Sequence, residues 1–181
     1  MFILMCFPPQ ICHSESVPTP VAFSGIAEFQ VKAAYLYKFI SYIEWPPNTF
    51  NNADAPLTIG IRGTDEMANE LTRLIATHPI DSRPVIVRKL ASSDSLAGIN
   101  ILFVGNEHHE SYGDILGAAK GLPILTVTEA DDGLSHGSMI NFVLINGRIR
   151  FEAAPKVAKQ NNLTISARLL AVAYRIVGDA S

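Results

Sequence analysis

Four polar side chains are the strongest candidates for binding chemistry in this sequence: Arg62, Ser138, Glu152 and Arg168. The guanidinium of Arg62 ends an apolar run and can bind a carboxylate through two parallel N–H donors. Ser138 can donate its hydroxyl, Glu152 offers a carboxylate, and Arg168 adds a second cation. Together they predict a site for a small zwitterion or for a charged loop of a partner. Internal salt bridges between the same charges are the alternative, because such pairs are common on protein surfaces.

Several kinds of catalytic and cofactor-binding motif are missing. Gly60 and Gly63 lack the spacing of a dinucleotide fingerprint or of a phosphate-binding loop. No two carboxylates lie on one element in a way that suits acid–base chemistry. These absences give little support to an acid–base role, and we predict no catalytic residue and no cofactor.

The run Glu107-His108-His109-Glu110 is the one cluster that invites a metal ion. It follows a predicted parallel strand, at the edge where α/β sheets bind ligands. Adjacent residues point in different directions, however, and no histidine pair at helical spacing supports them. We predict a solvated loop and no metal site, with a metal-dependent enzyme at His108 and His109 as the alternative.

Composition narrows the class of protein further. The chain has 181 residues, of which 48% are hydrophobic, so it can bury the core of one domain. The formal net charge is −3 and no basic stripe occurs, which argues against a nucleic-acid partner. No apolar run reaches the roughly 20 residues that a membrane span needs.

The first 24 residues differ from the rest of the chain. They combine a short apolar start with four prolines and contain both cysteines, Cys6 and Cys12. Ala22 and Ser24 suit the small-residue rule for signal cleavage before Gly25. We predict a truncated export signal or a disordered terminus over residues 1–24, followed by one domain over residues 25–178 that holds no disulfide.

Short apolar runs alternate with helical patterns in the next part of the chain. Strands are predicted over residues 57–61, 85–87, 100–104 and 123–127, with a loop over residues 105–110. Thr64 or Asp65 can cap the first intervening helix, and residues 112–119 form a second. This alternation implies right-handed crossovers and a largely parallel sheet. The predicted fold is an α/β three-layer sandwich with a mostly parallel central sheet and helices on both faces.

The pattern changes near the C-terminus. Asn146-Gly147 separates two strand-like runs at residues 139–145 and 148–152, and this pair favours a type I′ hairpin turn. We expect the hairpin to extend the central sheet. A last helix is predicted from about residue 166 to residue 177.

The first predicted helix extends to Trp45, where Pro46 and Pro47 end it. One apolar stripe, at residues 29, 33, 36, 40 and 43, suits the core. A second stripe contains Tyr35, Phe39 and Tyr42, and Glu28 and Lys32 beside it can pair at i,i+4. The second stripe predicts a dimer or partner surface together with Trp45 and Pro46; an ordinary core helix is the alternative.

These motifs together resemble the YfiR family, also known as the DUF4154 domain. The resemblance rests on residues 39–46 (FISYIEWP), 57–63 (LTIGIRG), 101–104 (ILFV), 123–127 (PILTV), 137–142 (GSMINF), 147–152 (GRIRFE) and 163–170 (LTISARLL). It implies a dimeric, non-enzymatic periplasmic regulator. Such a protein represses a membrane-bound diguanylate cyclase by binding its periplasmic sensor domain, and an outer-membrane lipoprotein sequesters it. By acting on that cyclase, such a protein controls cyclic-di-GMP output and, through it, biofilm formation and motility.

The sequence also departs from this family. Ile99-Asn100 stands where many members carry a Cys-His pair, and Ala154 replaces a usual asparagine. The resemblance links aromatic or vitamin-like small molecules to a surface pocket. A small-molecule-binding sensory module for a histidine kinase or another sensor is therefore the alternative function.

Overall fold

The computed structural model describes residues 25–178 apart from residues 51, 53, 81 and 82. The side chains of residues 25, 26 and 108–110 are outside this description. The predicted export signal, Cys6 and Cys12 also lie outside the described residues.

Nine strands and five α-helices make up the described chain. The strands are β1 Ile43–Glu44, β2 Leu57–Arg62, β3 Val85–Lys89, β4 Ile101–Val104, β5 Leu125–Thr128, β6 Ile140–Ile145, β7 Arg148–Ala153, β8 Thr164–Ile165 and β9 Arg175–Ile176. The helices are α1 Gly25–Phe39, α2 Asp65–Thr77, α3 Tyr112–Ala119, α4 Pro155–Gln160 and α5 Ala167–Leu170, with a 3-10 helix over Asn106–Ser111.

A seven-stranded sheet in the order β3-β2-β4-β5-β6-β7-β9 forms the centre of the fold. Every neighbouring pair is parallel except the antiparallel hairpin β6–β7. β1 and β8 form a separate antiparallel pair. The parallel sheet with its added C-terminal hairpin confirms the predicted fold class.

Helices cover both faces of the sheet because the strands of its middle are apolar on both sides. In β4, Ile101 and Phe103 join a core with residues of α1 and α2. Leu102 and Val104 alternate with them and join a second core with residues of α3. The sheet is therefore the middle of three layers.

Two local predictions are confirmed in atomic detail. The hydroxyl of Thr64 accepts the backbone N–H of Met67 at 3.4 Å and caps α2. Asn146 and Gly147 both have positive φ, 49° and 71°, as a type I′ turn requires.

The first helix is shorter than the sequence suggests. It ends at Phe39, not at Trp45, and the chain turns with Tyr42 N–H donating to the Phe39 carbonyl at 2.9 Å. Residues 43–44 then pair with β8, so their backbone groups bond to a strand instead of continuing a helix. The prediction of one helix up to Pro46 is wrong because tertiary pairing outweighs a helical pattern.

The C-terminal prediction is also wrong in its extent. The last helix covers only Ala167–Leu170, after which β9 joins the sheet beside β7. The N–H groups of Tyr174 and Val177 donate to the carbonyls of Phe151 and Ala153, both at 2.8 Å. A segment whose spacing of apolar residues alone favours a helix thus forms a strand, because it pairs with the open edge of β7.

Two further segments differ from the prediction. Residues 106–111 form a 3-10 helix where a loop was predicted. Helix α4 was not predicted, although Pro155 at its start is a known helix-start signal.

Candidate functional site

An accessible apolar surface lies along α1, and we call it the α1 face. Ala27, Gln30, Val31, Ala34, Tyr35 and Lys38 line a shallow groove of about 450 Å³ there. The Tyr35 ring is half-buried and contacts the rings of Phe142 and Phe151, with centroids 5.8 and 5.5 Å away. Its inner edge therefore belongs to the core and its outer edge to the surface. The α1 face is therefore an accessible groove with a mainly apolar lining.

Phe39 does not belong to that surface. Its ring is 0% exposed and packs against Phe142 and Phe151, with centroids 6.1 and 5.4 Å away. The expectation that Phe39 lies on an accessible face is wrong. The aromatic side chains of the β6–β7 hairpin cover it, and the sequence of α1 alone does not show which face the hairpin covers.

Tyr42, Trp45 and Pro46 lie together beyond the end of α1, and each is half-buried. The Tyr42 carbonyl accepts the Ser166 N–H at 3.0 Å, which ties this segment to the start of α5. The Trp45 indole packs edge-on against Phe50, and its buried Nε1 has no acceptor among the described residues. These three residues keep accessible surface, separate from the groove of the α1 face.

The four candidate ligand residues are not brought together. Arg62 ends β2 and Glu152 lies on β7, so three strands, each about 4.8 Å from the next, separate them. Glu152 accepts the Nε–H of Arg175 at 2.6 Å. Arg168 is exposed on α5. A single site built from these four side chains does not form.

Ser138 has a structural environment. It is fully buried, and its hydroxyl is 2.7 Å from the Ile140 carbonyl and 3.3 Å from the Thr126 carbonyl, to either of which it can donate. The hydroxyl therefore helps to join β5 to β6. It is not accessible to a ligand.

A buried ion cluster lies at the carboxyl end of β5, and the sequence predicted only part of it. The Lys32 ammonium forms ion pairs with the carboxylates of Glu28 and Glu129, and Lys32 is only 5% exposed. Burial lowers the pKa of Lys32, but the two carboxylates outweigh it and leave this pKa above its ordinary value. The pairing with Glu28 follows from spacing; Glu129 is 97 residues away from Lys32 in sequence and was missed.

Glu129 links this cluster to the 3-10 helix after β4. Its Oε1 accepts the Asn106 N–H at 2.8 Å. Burial raises the pKa of the nearby Tyr112 hydroxyl, and the charge of Glu129 raises it further. Tyr112 thus stays protonated and its hydroxyl lies 3.4 Å from the Val104 carbonyl. The cluster holds α1 against the carboxyl edge of the sheet.

The run Gly133-Leu134-Ser135-His136-Gly137 has the Gly-x-Ser-x-Gly spacing of a nucleophile elbow, so the catalytic motifs missing from the sequence do not include this one. In the structure it lies in turns between β5 and β6, not between a strand and a helix. The His136 Nε2 bonds Asp132 at 2.9 Å, but no hydrogen bond joins Ser135 to His136 among the described contacts. The nucleophile–base contact that such catalysis needs is therefore not formed.

Metal and membrane features can be stated for the described residues. Within them, no three His, Cys, Asp or Glu side chains are grouped closely enough to hold a metal ion. The side chains of His108 and His109 lie outside that set. In the part of the chain that the structure covers, no helix is long and apolar enough to cross a membrane.

The fold and surfaces define a doubly wound α/β domain with an accessible apolar helix face. This chain belongs to the DUF4154 family, described as YfiR/HmsC-like, whose model matches residues 29–174. No curated protein matches it. Among solved structures, it is similar to a conserved domain protein from Vibrio cholerae O1 biovar El Tor, with a TM-score of 0.52 and 10% identity. That match covers 82% of this chain and 60% of the Vibrio chain, and it supports the fold alone.

Proposed function

We propose that this protein is a non-enzymatic periplasmic regulator. It binds the periplasmic sensor domain of an inner-membrane diguanylate cyclase and represses cyclic-di-GMP output. Membership of the YfiR/HmsC-like family supports a regulatory role in such signalling. An outer-membrane lipoprotein that sequesters the protein, and a homodimer, are part of the same proposal.

The observation that carries this proposal is the α1 face. Val31, Ala34 and Tyr35 present apolar surface next to Lys38 at the rim. Partner surfaces commonly combine an apolar centre with a polar rim. Tyr42, Trp45 and Pro46 offer a second accessible aromatic surface, so both are candidate contacts of the sensor domain.

The test compares two single substitutions on helix surfaces. Ala34→Glu places a charge in the α1 face, whereas Ala76→Glu places the same charge at an exposed position of α2 that does not line the groove of that face. We expect Ala34→Glu to weaken binding to the purified periplasmic domain of the cyclase at least about tenfold. Ala76→Glu is expected to bind normally. Cyclic-di-GMP should rise in cells that carry only the Ala34→Glu variant.

Three outcomes separate the alternatives. Capture of a histidine kinase sensor domain in place of a cyclase would favour the alternative function. An Ala34→Glu variant that loses only self-association would make the α1 face a dimer surface and contradict its assignment to the sensor. Failure to bind any sensor domain, with cyclic-di-GMP unchanged on deletion of the gene, would refute the proposal.

A further inference from the structure

A second groove lies on the opposite face of the sheet, between α3 and the loop of residues 90–100, and we call it the α3 groove. Its volume is about 690 Å³. Arg62 enters it from the end of β2, Leu96 from the loop, and Ile115 and Ala118 from α3. It is separate from the α1 face and shares no lining residue with it.

The groove lies near the point where the sheet changes its direction of winding. β3 lies on one side of β2, and β4 and β5 lie on the other, so the carboxyl ends of β2 and β4 flank this point. Ligands of doubly wound sheets bind there. Here the backbones block the direct crevice, since a Cβ added at Gly63 would lie 3.2 Å from the Gly105 Cα. The accessible space is displaced toward α3, and Arg62 borders it.

Arg62 is a buried cation whose charge is not balanced within the described residues. It is 5% exposed, and its Nη2 donates to the carbonyls of Ala91 and Asp94 at 3.0 and 3.3 Å. Its Nε–H is buried without an acceptor, and no described carboxylate forms an ion pair with it. The Asp94 carboxylate instead accepts the Ala91 N–H at 2.9 Å. A buried guanidinium in this state favours an anionic ligand.

The other residues that line the groove indicate the chemistry of the rest of that ligand. Leu96, Ile115, Ala118 and the 41%-exposed Leu122 form an apolar wall. Asp114 is also at the groove, and together with Asp94 it makes multiply charged anions unfavourable. One cation, an apolar wall and nearby acids fit a singly charged ligand with an apolar body.

We propose that the α3 groove binds an apolar monocarboxylate, whose carboxylate pairs with Arg62 and whose body lies on the wall of Leu96, Ile115 and Leu122. The Ser111 hydroxyl, also at the groove, adds a donor. This inference does not depend on the regulator proposal. If the chain binds the carboxylate but no sensor domain, the carboxylate site is supported and the regulator proposal is refuted. If it binds a sensor domain but no carboxylate, the regulator proposal is supported and the carboxylate site is refuted.

The test titrates the full chain with hexanoate and with hexanol, its uncharged analogue, followed by calorimetry and by backbone amide chemical shifts. A ligand of this size is expected to bind with a Kd on the order of 1 mM. Hexanol should bind at least about tenfold more weakly, because it cannot pair with the guanidinium. Shifts should concentrate in residues 91–98 and 111–118.

Three variants make the test specific. Arg62→Met removes the cation, and Ala118→Phe fills the groove from an exposed helix position. Each is expected to weaken hexanoate binding at least about tenfold. Ala76→Phe, a matched exposed alanine on α2 outside the groove, should leave it unchanged. If Arg62→Met fails to fold, Ala118→Phe still decides the question.

The opposing results are equally clear. No hexanoate binding to the native chain at about 10 mM, well above the expected Kd, would overturn the inference. Equal binding of hexanol and hexanoate would overturn it as well. So would a folded Ala118→Phe variant that binds hexanoate as tightly as Ala76→Phe does.

Discussion

Lys32 on α1 and Arg62 at the end of β2 are both 5% exposed, yet their surroundings differ. Lys32 bonds the carboxylates of Glu28 and Glu129. Arg62 bonds only two backbone carbonyls among the described residues, and its Nε–H has no acceptor. Each borders a groove, but both carboxylate partners of Lys32 line its groove of about 340 Å³ with it, whereas Arg62 borders the α3 groove without a paired carboxylate among the described residues.

The comparison separates a structural charge from a binding charge. A buried ion is tolerated when opposite charges compensate it, and removing one partner then leaves a costly unpaired charge. The Lys32 cluster meets that condition within the chain. The charge of Arg62 is compensated only when an anionic ligand binds beside it. The two cations should therefore respond differently to substitution.

The largest expected effect is the loss of the Lys32 ammonium. Lys32→Met leaves the nearly buried Glu129 without its ammonium partner, so we expect the free energy of unfolding to fall by about 3 kcal/mol. Urea denaturation at neutral pH measures it. Lys38→Met, on an exposed position of the same helix, is the control and should change stability by less than about 0.5 kcal/mol. Equal changes in the free energy of unfolding for the two substitutions would show that the ion pairs of Lys32 do not stabilise the fold.

The same contribution should depend on pH in one direction. Because the folded-state pKa of Lys32 is raised, its stabilisation is fully present below the unfolded pKa of about 10.4. It is lost as pH rises through the higher folded-state pKa. We therefore expect the stability difference between the native chain and Lys32→Met to stay constant from about pH 7 to 9 and to shrink only above about pH 10.4. A difference that shrinks already between pH 7 and 9 would contradict the raised pKa.

The smallest expected effect is that of Arg62→Met on stability. The substitution loses two hydrogen bonds to carbonyls, but it also removes a buried charge that has no carboxylate partner in the described chain. These changes oppose each other, so the free energy of unfolding should change by less than about 1 kcal/mol. Denaturation of the ligand-free protein tests this. A loss as large as that of Lys32→Met would make Arg62 a structural charge and remove the contrast.

Local features of the fold were predictable from the sequence because they depend on neighbouring residues. The apolar runs of β2, β4 and β5 follow from a period and a residue type. The Thr64 cap and the Asn146-Gly147 turn follow from the chemistry of single residues. Helix α4 was missed despite the signal of Pro155, because no longer apolar pattern follows that proline.

The candidate sites were less predictable because their members come from distant parts of the chain. Tyr35 and Phe39 lie one helical turn apart on α1 and look alike in sequence. The β6–β7 hairpin covers Phe39 fully and Tyr35 in part. Arg62 was recognised by its place at the end of a strand, but the assignment of Ser138 and Glu152 to the same site ignored the strands between them.

The sequence by itself determined the strand periodicity, the hairpin turn, the first cap of α2 and the membership of a family. The first three depend on residue types within a few positions, where local physics is strong, and the family membership depends on the order and spacing of several short motifs along the chain. Only the tertiary structure decided that β7 recruits residues 175–176, that Glu129 compensates Lys32, and that nothing in the described chain compensates Arg62. Those outcomes depend on which distant groups meet at a sheet edge, and no local pattern encodes such a meeting.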